Sequence, residues 1–258
     1  GVECADWNHD GWMDVYITPY QRQIPTLFQS QKGLFFEDVS RQTGAGKDAF
    51  ADVKWGVGII DFDNDTHRDL FIATGHLIDN VEQIDSSMRY AASNILLRNT
   101  GTGKFVNVSE QCGDGMQPVK SSRGAAFDDL DNDGDIDAVI LNARSSPTLI
   151  RNDSGQGNHW LQIQLQGTTS NRDGIGARVT VRTGKLQQID EIHSGRSYQS
   201  DFGKRLHFGL GNQTHIDEIK VEWIGGDVDT LHHIQANQLC VIKEGQGLTQ
   251  GRSSDPKP

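Results

Sequence analysis

Hydrophobic positions along this chain fall in short runs separated by turn residues. DVYI (14–17), WGVGII (55–60), DLFIATG (69–75) and DAVILNA (137–143) are almost wholly apolar. Runs this short and this apolar suit buried strands. Further on the pattern changes to alternation. Leu161, Ile163 and Leu165 alternate with polar residues in NHWLQIQLQG (158–167). Ala177, Val179 and Val181 do so in ARVTVRT (177–183), and Ile219, Val221 and Trp223 in IDEIKVEW (216–223). LCVIKE (239–244) reads as a last short strand. Alternation of period two predicts half-buried strands. One segment departs from both patterns: GHLIDNVEQIDSSMRYAAS (75–93) reads as an insertion, partly helical. The pattern predicts an all-β chain.

A repeat organises the first half. Asp6-Trp7-Asn8-His9-Asp10-Gly11-Trp12-Met13-Asp14 shares its skeleton with residues 61–69, DFDNDTHRD, and with 129–137, DLDNDGDID. Oxygen-bearing side chains fall at positions 1, 3, 5 and 9 of each. A glycine stands five residues before each first Asp: Gly1, Gly56 and Gly124. A second phrase recurs in LFQSQKGLFFEDVS (27–40) and NILLRNTGTGKFVNVSE (94–110). The loops start 55 and 68 residues apart. That spacing marks a repeated supersecondary unit, and about four strands per unit fits a propeller blade.

A hard divalent cation explains the loop spacing. Calcium takes six to eight oxygens at a flexible distance. Alternate residues in a tight loop can aim their oxygens at one centre. The expected side-chain ligands are Asp6, Asn8, Asp10 and Asp14; Asp61, Asp63, Asp65 and Asp69; and Asp129, Asp131, Asp133 and Asp137. Position 7 would supply a backbone carbonyl, from Trp12, His67 and Asp135. Position 6 favours glycine because the chain bends sharply there. Gly11 and Gly134 meet that need, but Thr66 does not, so the middle site is expected to be the weakest or most distorted. Asx-rich turns alone do not explain three copies in one register. An EF-hand would need a Glu at position 12. Paired carboxylates could serve acid–base hydrolysis, but an enzyme needs one site rather than three equivalents.

These units resemble the FG-GAP/VCBS repeats of integrin-α-type propellers over roughly residues 1–152. The resemblance implies calcium loops that brace blades. NRDGIGARV (171–179), SGRSYQSDFGKRLHFGLG (194–211) and VEWIGGDVDTLHHIQANQ (221–238) resemble the ASPIC/UnbV domain. The order of the two modules resembles the cartilage acidic protein 1 family. It implies a secreted or cell-surface protein, extracellular or periplasmic, with adhesion or matrix roles and no catalytic residues to carry over. The expected partner is an extracellular protein or a glycan. The alternative is a glycan-binding accessory region of a larger secreted enzyme.

The expected architecture is a partial, about three-blade β-propeller at 1–153, a β-sandwich-like module at 154–246, and a polar, disordered tail at 247–258. Three units do not close a ring, and the third lacks its last strand phrase. The expectation is therefore an open arc with blades missing upstream. His193, Arg196, Tyr198, Arg205 and His207 are read as hydrogen-bonding groups at a domain seam. His232 and His233, neighbours on a strand, should point to opposite faces and share no metal.

Charge and cysteines narrow the classes. Lys and Arg number 24 against 35 Asp and Glu, giving a net charge of −11. Such a chain is a poor partner for nucleic acid or anionic lipid. The ligand positions carry eleven carboxylates, so three calcium ions would take −11 to −5. No run of 18 apolar residues spans a membrane. Cys4, Cys112 and Cys240 lie far apart without a CxxC pattern, which argues against a zinc or redox site and favours free thiols, one disulfide with an odd cysteine left over being the alternative.

Overall fold

The computed structural model describes residues 1–154 and 157–253. Residues 1–150 form three blades of antiparallel strands. The first is β1 (Val2–Ala5), β2 (Asp14–Ile17), β3 (Thr26–Ser30) and β4 (Phe36–Asp38), in that order. A short helix, α1 (Ser40–Thr43), leads into the second blade. That blade orders β5 (Lys54–Ile60), β6 (Asp69–Thr74), β8 (Ile95–Asn99) and β9 (Phe105–Asn107). Between β6 and β8 lies the expected insertion, with one helix, α2 (Val81–Ile84), and a strand β7 (Ala92–Ser93) paired to β10 (Val119–Lys120). The third blade has only β11 (Ser122–Asp128), β12 (Asp137–Asn142) and β13 (Thr148–Ile150).

The repeated glycines explain how the blades pack. A Cβ on Gly56 would lie 2.7 Å from the Ala125 backbone N, and one on Gly1 would lie 2.1 Å from the Trp55 carbonyl. The inner edges of blades one and two thus each lie backbone-to-backbone on the next blade, whereas Gly124 of blade three faces the second module, where a Cβ would lie 3.0 Å from the Tyr198 carbonyl. The core between blades one and two is continuous through Tyr16, Leu27, Leu70, Ile72 and Leu97. Burying one such aliphatic side chain contributes about 1.5–3 kcal/mol. The three blades form an open arc, as the repeat count predicts.

The second module is two four-stranded sheets. One orders β17 (Arg205–Gly211), β14 (His159–Gln166), β20 (Gln238–Lys243) and β21 (Gly247–Ser253). The other orders β16 (Leu186–Glu191), β15 (Arg178–Thr183), β18 (His215–Glu222) and β19 (Val228–Gln235). Alternate residues Leu161, Ile163, Val179, Val181, Ile219 and Val221 meet in one core, as their period-two spacing predicts. The pairing of β14 with β20 is parallel, the one departure from antiparallel order among the described residues.

Two expectations are corrected. Gly247–Ser253, read as the start of a disordered tail, pairs antiparallel with β20; its backbone completes a sheet edge, which polar composition does not reveal. The remainder of that tail, 254–258, lies outside the described residues. His232 and His233 do not sit on opposite faces. His233 has φ 56°, which breaks strand alternation, and the two rings lie 6.3 Å apart, both exposed. All three cysteines are free thiols.

Candidate metal centres

Each acidic loop joins the first two strands of its blade, and the three loops fold alike, bond for bond. The position 1 carboxylate accepts two backbone N–H groups. Asp6 takes Asp10 and Gly11 at 3.1 and 2.9 Å, Asp61 takes Asp65 and Thr66 at 3.1 and 2.8 Å, and Asp129 takes Asp133 and Gly134 at 3.1 and 2.9 Å. The position 5 carboxylate accepts the N–H of position 7 in every loop: Trp12, His67 and Asp135. The closing carboxylate accepts the N–H of position 2 and one from the end of the third strand of its blade or just beyond it. Those donors are Ser30 to Asp14 at 2.7 Å, Asn99 to Asp69 at 2.8 Å and, two residues past β13, Asn152 to Asp137 at 2.8 Å.

This bonding needs left-handed backbone at two positions. Position 4 has φ 61°, 57° and 61° at His9, Asn64 and Asn132. Position 6 has φ 85°, 84° and 97° at Gly11, Thr66 and Gly134. The sequence reading found position 6 and missed position 4, although asparagine, which tolerates this region, stands there twice. The middle loop is not distorted, contrary to expectation: Thr66 is held in the glycine conformation by the same bonds. A β-branched residue at that φ costs roughly 1–3 kcal/mol. Thr66→Gly is therefore expected to raise the melting temperature by roughly 2–12 °C. An unchanged or lower value would show that the strain is relieved elsewhere.

Carboxylates converge in two loops. One oxygen each from Asp61, Asp63 and Asp65 lies within 4.8 Å of the others, and so it does for Asp129, Asp131 and Asp137. Loop one makes no such set among the described residues. Its Asn8 offers an amide at position 3, and that amide donates to Asp10 at 3.1 Å. Burial dominates the electrostatics. It pushes the Asp14 carboxyl up to about 7, and drives Asp61 and Asp69 well above the carboxylate range, with neighbouring aspartates adding to the shift. Asp6, Asp129 and Asp137 move the same way for the same first reason. Crowded, buried carboxylates of this kind are what a bound divalent cation neutralises. The donor set, all oxygen and mostly anionic, fits calcium. The Asp135 carboxylate accepts from Asn64 Nδ2 of the middle loop at 3.0 Å.

The second module clamps these loops. Gln162 donates to the Asp129 carboxylate at 2.7 Å, and Asn158 to the Asp63 carbonyl at 2.9 Å. His207 Nε2 bonds Asn64 Oδ1 at 2.6 Å, and burial, with Arg205 and Arg68 nearby, drops its pKa to about 3, so the ring is neutral and Nε2 carries the proton. Arg205 pairs with Asp128 at 2.7 Å, Arg196 with Glu3 at 2.6 Å, and Arg68 with Asp190 at 3.0 Å. A loop around Ser197 bonds the backbones of Val2 and Val57. The seam role expected of Arg196, Arg205 and His207 is what they perform.

Two known families match. One described as an FG-GAP-like repeat covers residues 61–140, and one described as ASPIC and UnbV covers 167–249. The chain is 24% identical over 264 residues to human cartilage acidic protein 1, aligning with all of this chain and 38% of that protein. It is 24% identical to the mouse and Xenopus tropicalis proteins of that name, across 88% and 89% of this chain and 34% of each relative. The chain thus spans little more than a third of the length of the curated relatives it matches. Neither family description names an enzyme. The chain therefore joins FG-GAP-like repeats to an ASPIC/UnbV module, and in both parts is similar to cartilage acidic protein 1.

Proposed function

We propose that this chain is a non-enzymatic, calcium-braced interaction module that works outside the cell, on an extracellular protein or glycan. The carrying observation is the threefold recurrence of one loop with one hydrogen-bond pattern and buried, mutually repelling carboxylates. Three equivalent sites spaced one per blade suit bracing, not turnover. Each ion would tie the first two strands of a blade together, and the second module would hold the loops in place. Asp6, Asn8, Asp10 and Asp14 would hold one ion, Asp61, Asp63, Asp65 and Asp69 the second, and Asp129, Asp131, Asp133 and Asp137 the third. The similarity to cartilage acidic protein 1 supports the location. Calorimetric titration of the chelated chain with calcium tests this. Three sites are expected, and Asp137→Asn should remove one. Absence of binding at millimolar calcium sinks the proposal.

A further inference from the structure

The three acidic loops are tied to one another by a repeated bond. In blades two and three the residue whose backbone N–H reaches the closing carboxylate is an asparagine, Asn99 and Asn152. The side-chain amide of each then crosses to the preceding blade. Asn99 Nδ2 donates to the Trp7 carbonyl at 3.3 Å, and Asn152 Nδ2 to the Phe62 carbonyl at 2.7 Å. Trp7 and Phe62 both stand at position 2 of their loops, and their own N–H groups donate to Asp14 and Asp69, each at 3.3 Å.

Bonds therefore run residue to residue from Asp14 through Trp7 and Asn99 to Asp69, and on through Phe62 and Asn152 to Asp137. All three closing carboxylates lie on this one path. Asp69 is its centre, with one oxygen accepting from Asn99 and the other from Phe62. Asp14, Trp7, Asn99, Asp69 and Asp137 are buried, so most of the path is shielded from competing water. A second bridge spans loops two and three. Asn64 Nδ2 donates to the Gly134 carbonyl at 3.1 Å. The same peptide group offers its N–H, that of Asp135, to the Asp133 carboxylate at 2.9 Å. One peptide plane thus joins an expected ligand of loop three to position 4 of loop two.

We propose that Asn99 and Asn152 are positioning residues that couple neighbouring ion sites, so that a calcium ion in one loop raises the affinity of the next. An ion would fix the closing carboxylate of its loop. Each N–H bonded to that carboxylate is fixed with it, and through the asparagine amide so is position 2 of the preceding loop. A site ordered in advance loses less conformational entropy when its own ion binds, which is positive cooperativity. The coupling is reciprocal. Along such a path it acts between neighbours, so sites one and three each respond to site two. The proposal rests on the calcium reading and adds that the sites fill together.

The test titrates the full, isotope-labelled chain with calcium chloride and follows it by NMR. The position 6 N–H of each loop donates to that loop's first carboxylate, so the amide signals of Gly11, Thr66 and Gly134 report sites one, two and three separately. Asp63→Ala, which removes a ligand of site two, should raise the calcium midpoints at Gly11 and Gly134 by about tenfold. In an Asn99→Ala background the backbone N–H to Asp69 persists and the crossing amide is lost. Asp63→Ala should then leave the Gly11 midpoint nearly unmoved while still shifting that of Gly134. Asn152→Ala should do the reverse. It should weaken the Gly134 response without abolishing it, because Asn64 still holds the Gly134 carbonyl and the Ser154 hydroxyl still donates to that of Phe62 at 2.9 Å. Asn152 is only half-buried, and it carries the test should Asn99→Ala fail to fold. Long-range charge acts alike with and without the asparagines, so a Gly11 shift of equal size in the Asn99→Ala background overturns the proposal. Midpoints at Gly11 and Gly134 that ignore Asp63→Ala in the parent chain, or that fall, also overturn it and leave the calcium reading standing. Three amides that do not respond to calcium at all overturn both.

Discussion

Adding millimolar calcium to the chelated chain is expected to raise its melting temperature by roughly 8–16 °C. With a dissociation constant near 10⁻⁴ M, each occupied site contributes about 1.4 kcal/mol. Three sites contribute about 4 kcal/mol, and about 2–4 °C follows from each kcal/mol in a chain of this size. The sign rests on burial. Folding pushes the Asp14 carboxyl up to about 7, and Asp61 and Asp69 well above the usual range. A raised carboxylate favours the folded state only while protonated, so the chelated chain should lose stability as pH rises from about 4 towards 7. Calcium supplies the missing positive charge and should reverse that loss. Differential scanning calorimetry at pH 7 with calcium and with chelator decides it, and coincident melts would refute occupancy. Magnesium should do less, because it tolerates only near-ideal octahedral geometry and keeps its waters.

The second large effect is expected at the seam between the modules. Arg68 is the eighth residue of the middle loop, and Asp190 lies on β16, yet the two pair at 3.0 Å with side chains 6% and 5% exposed. Arg68 also donates to the Ile189 carbonyl at 3.1 Å. Burial alone would raise the Asp190 carboxyl; Arg68 and Arg196 beside it hold it below the usual range. Arg68→Met leaves a buried carboxylate without its partner and should cost about 3–5 kcal/mol. The melting temperature should fall by roughly 6–20 °C. Arg68→Met with Asp190→Leu should recover most of that, because replacing both charges by apolar groups is close to neutral. A single-variant cost below about 1 kcal/mol would show that the pair is not closed in solution. If the modules melt apart in Arg68→Met but together in the parent chain, the pair is what couples them.

The acidic loops were legible because their chemistry is local. Alternate oxygens and a glycine within nine residues encode the bend, and Asp61–Asp69 folds as its sisters do despite Thr66. The second strands, the alternating core of the second module and the glycines before each loop were legible for the same reason, since period and residue size are properties of neighbours in the chain. Less local features were not. Ser30, Asn99 and Asn152 complete the loops through backbone N–H groups that any residue carries. Strand β21 hides in polar composition because its stability lies in main-chain pairing to β20.

The sequence by itself determined the all-β class, the threefold repeat and the carboxylates that gather in each loop. Only the tertiary structure decided that the second module packs on those loops, and how deeply the turn after each blade's fourth strand is buried. Near-identical phrases at 39–46 and 108–115 end in different environments. The physical reason is that burial depends on what the next blade brings, and that strand comes from residues distant along the chain.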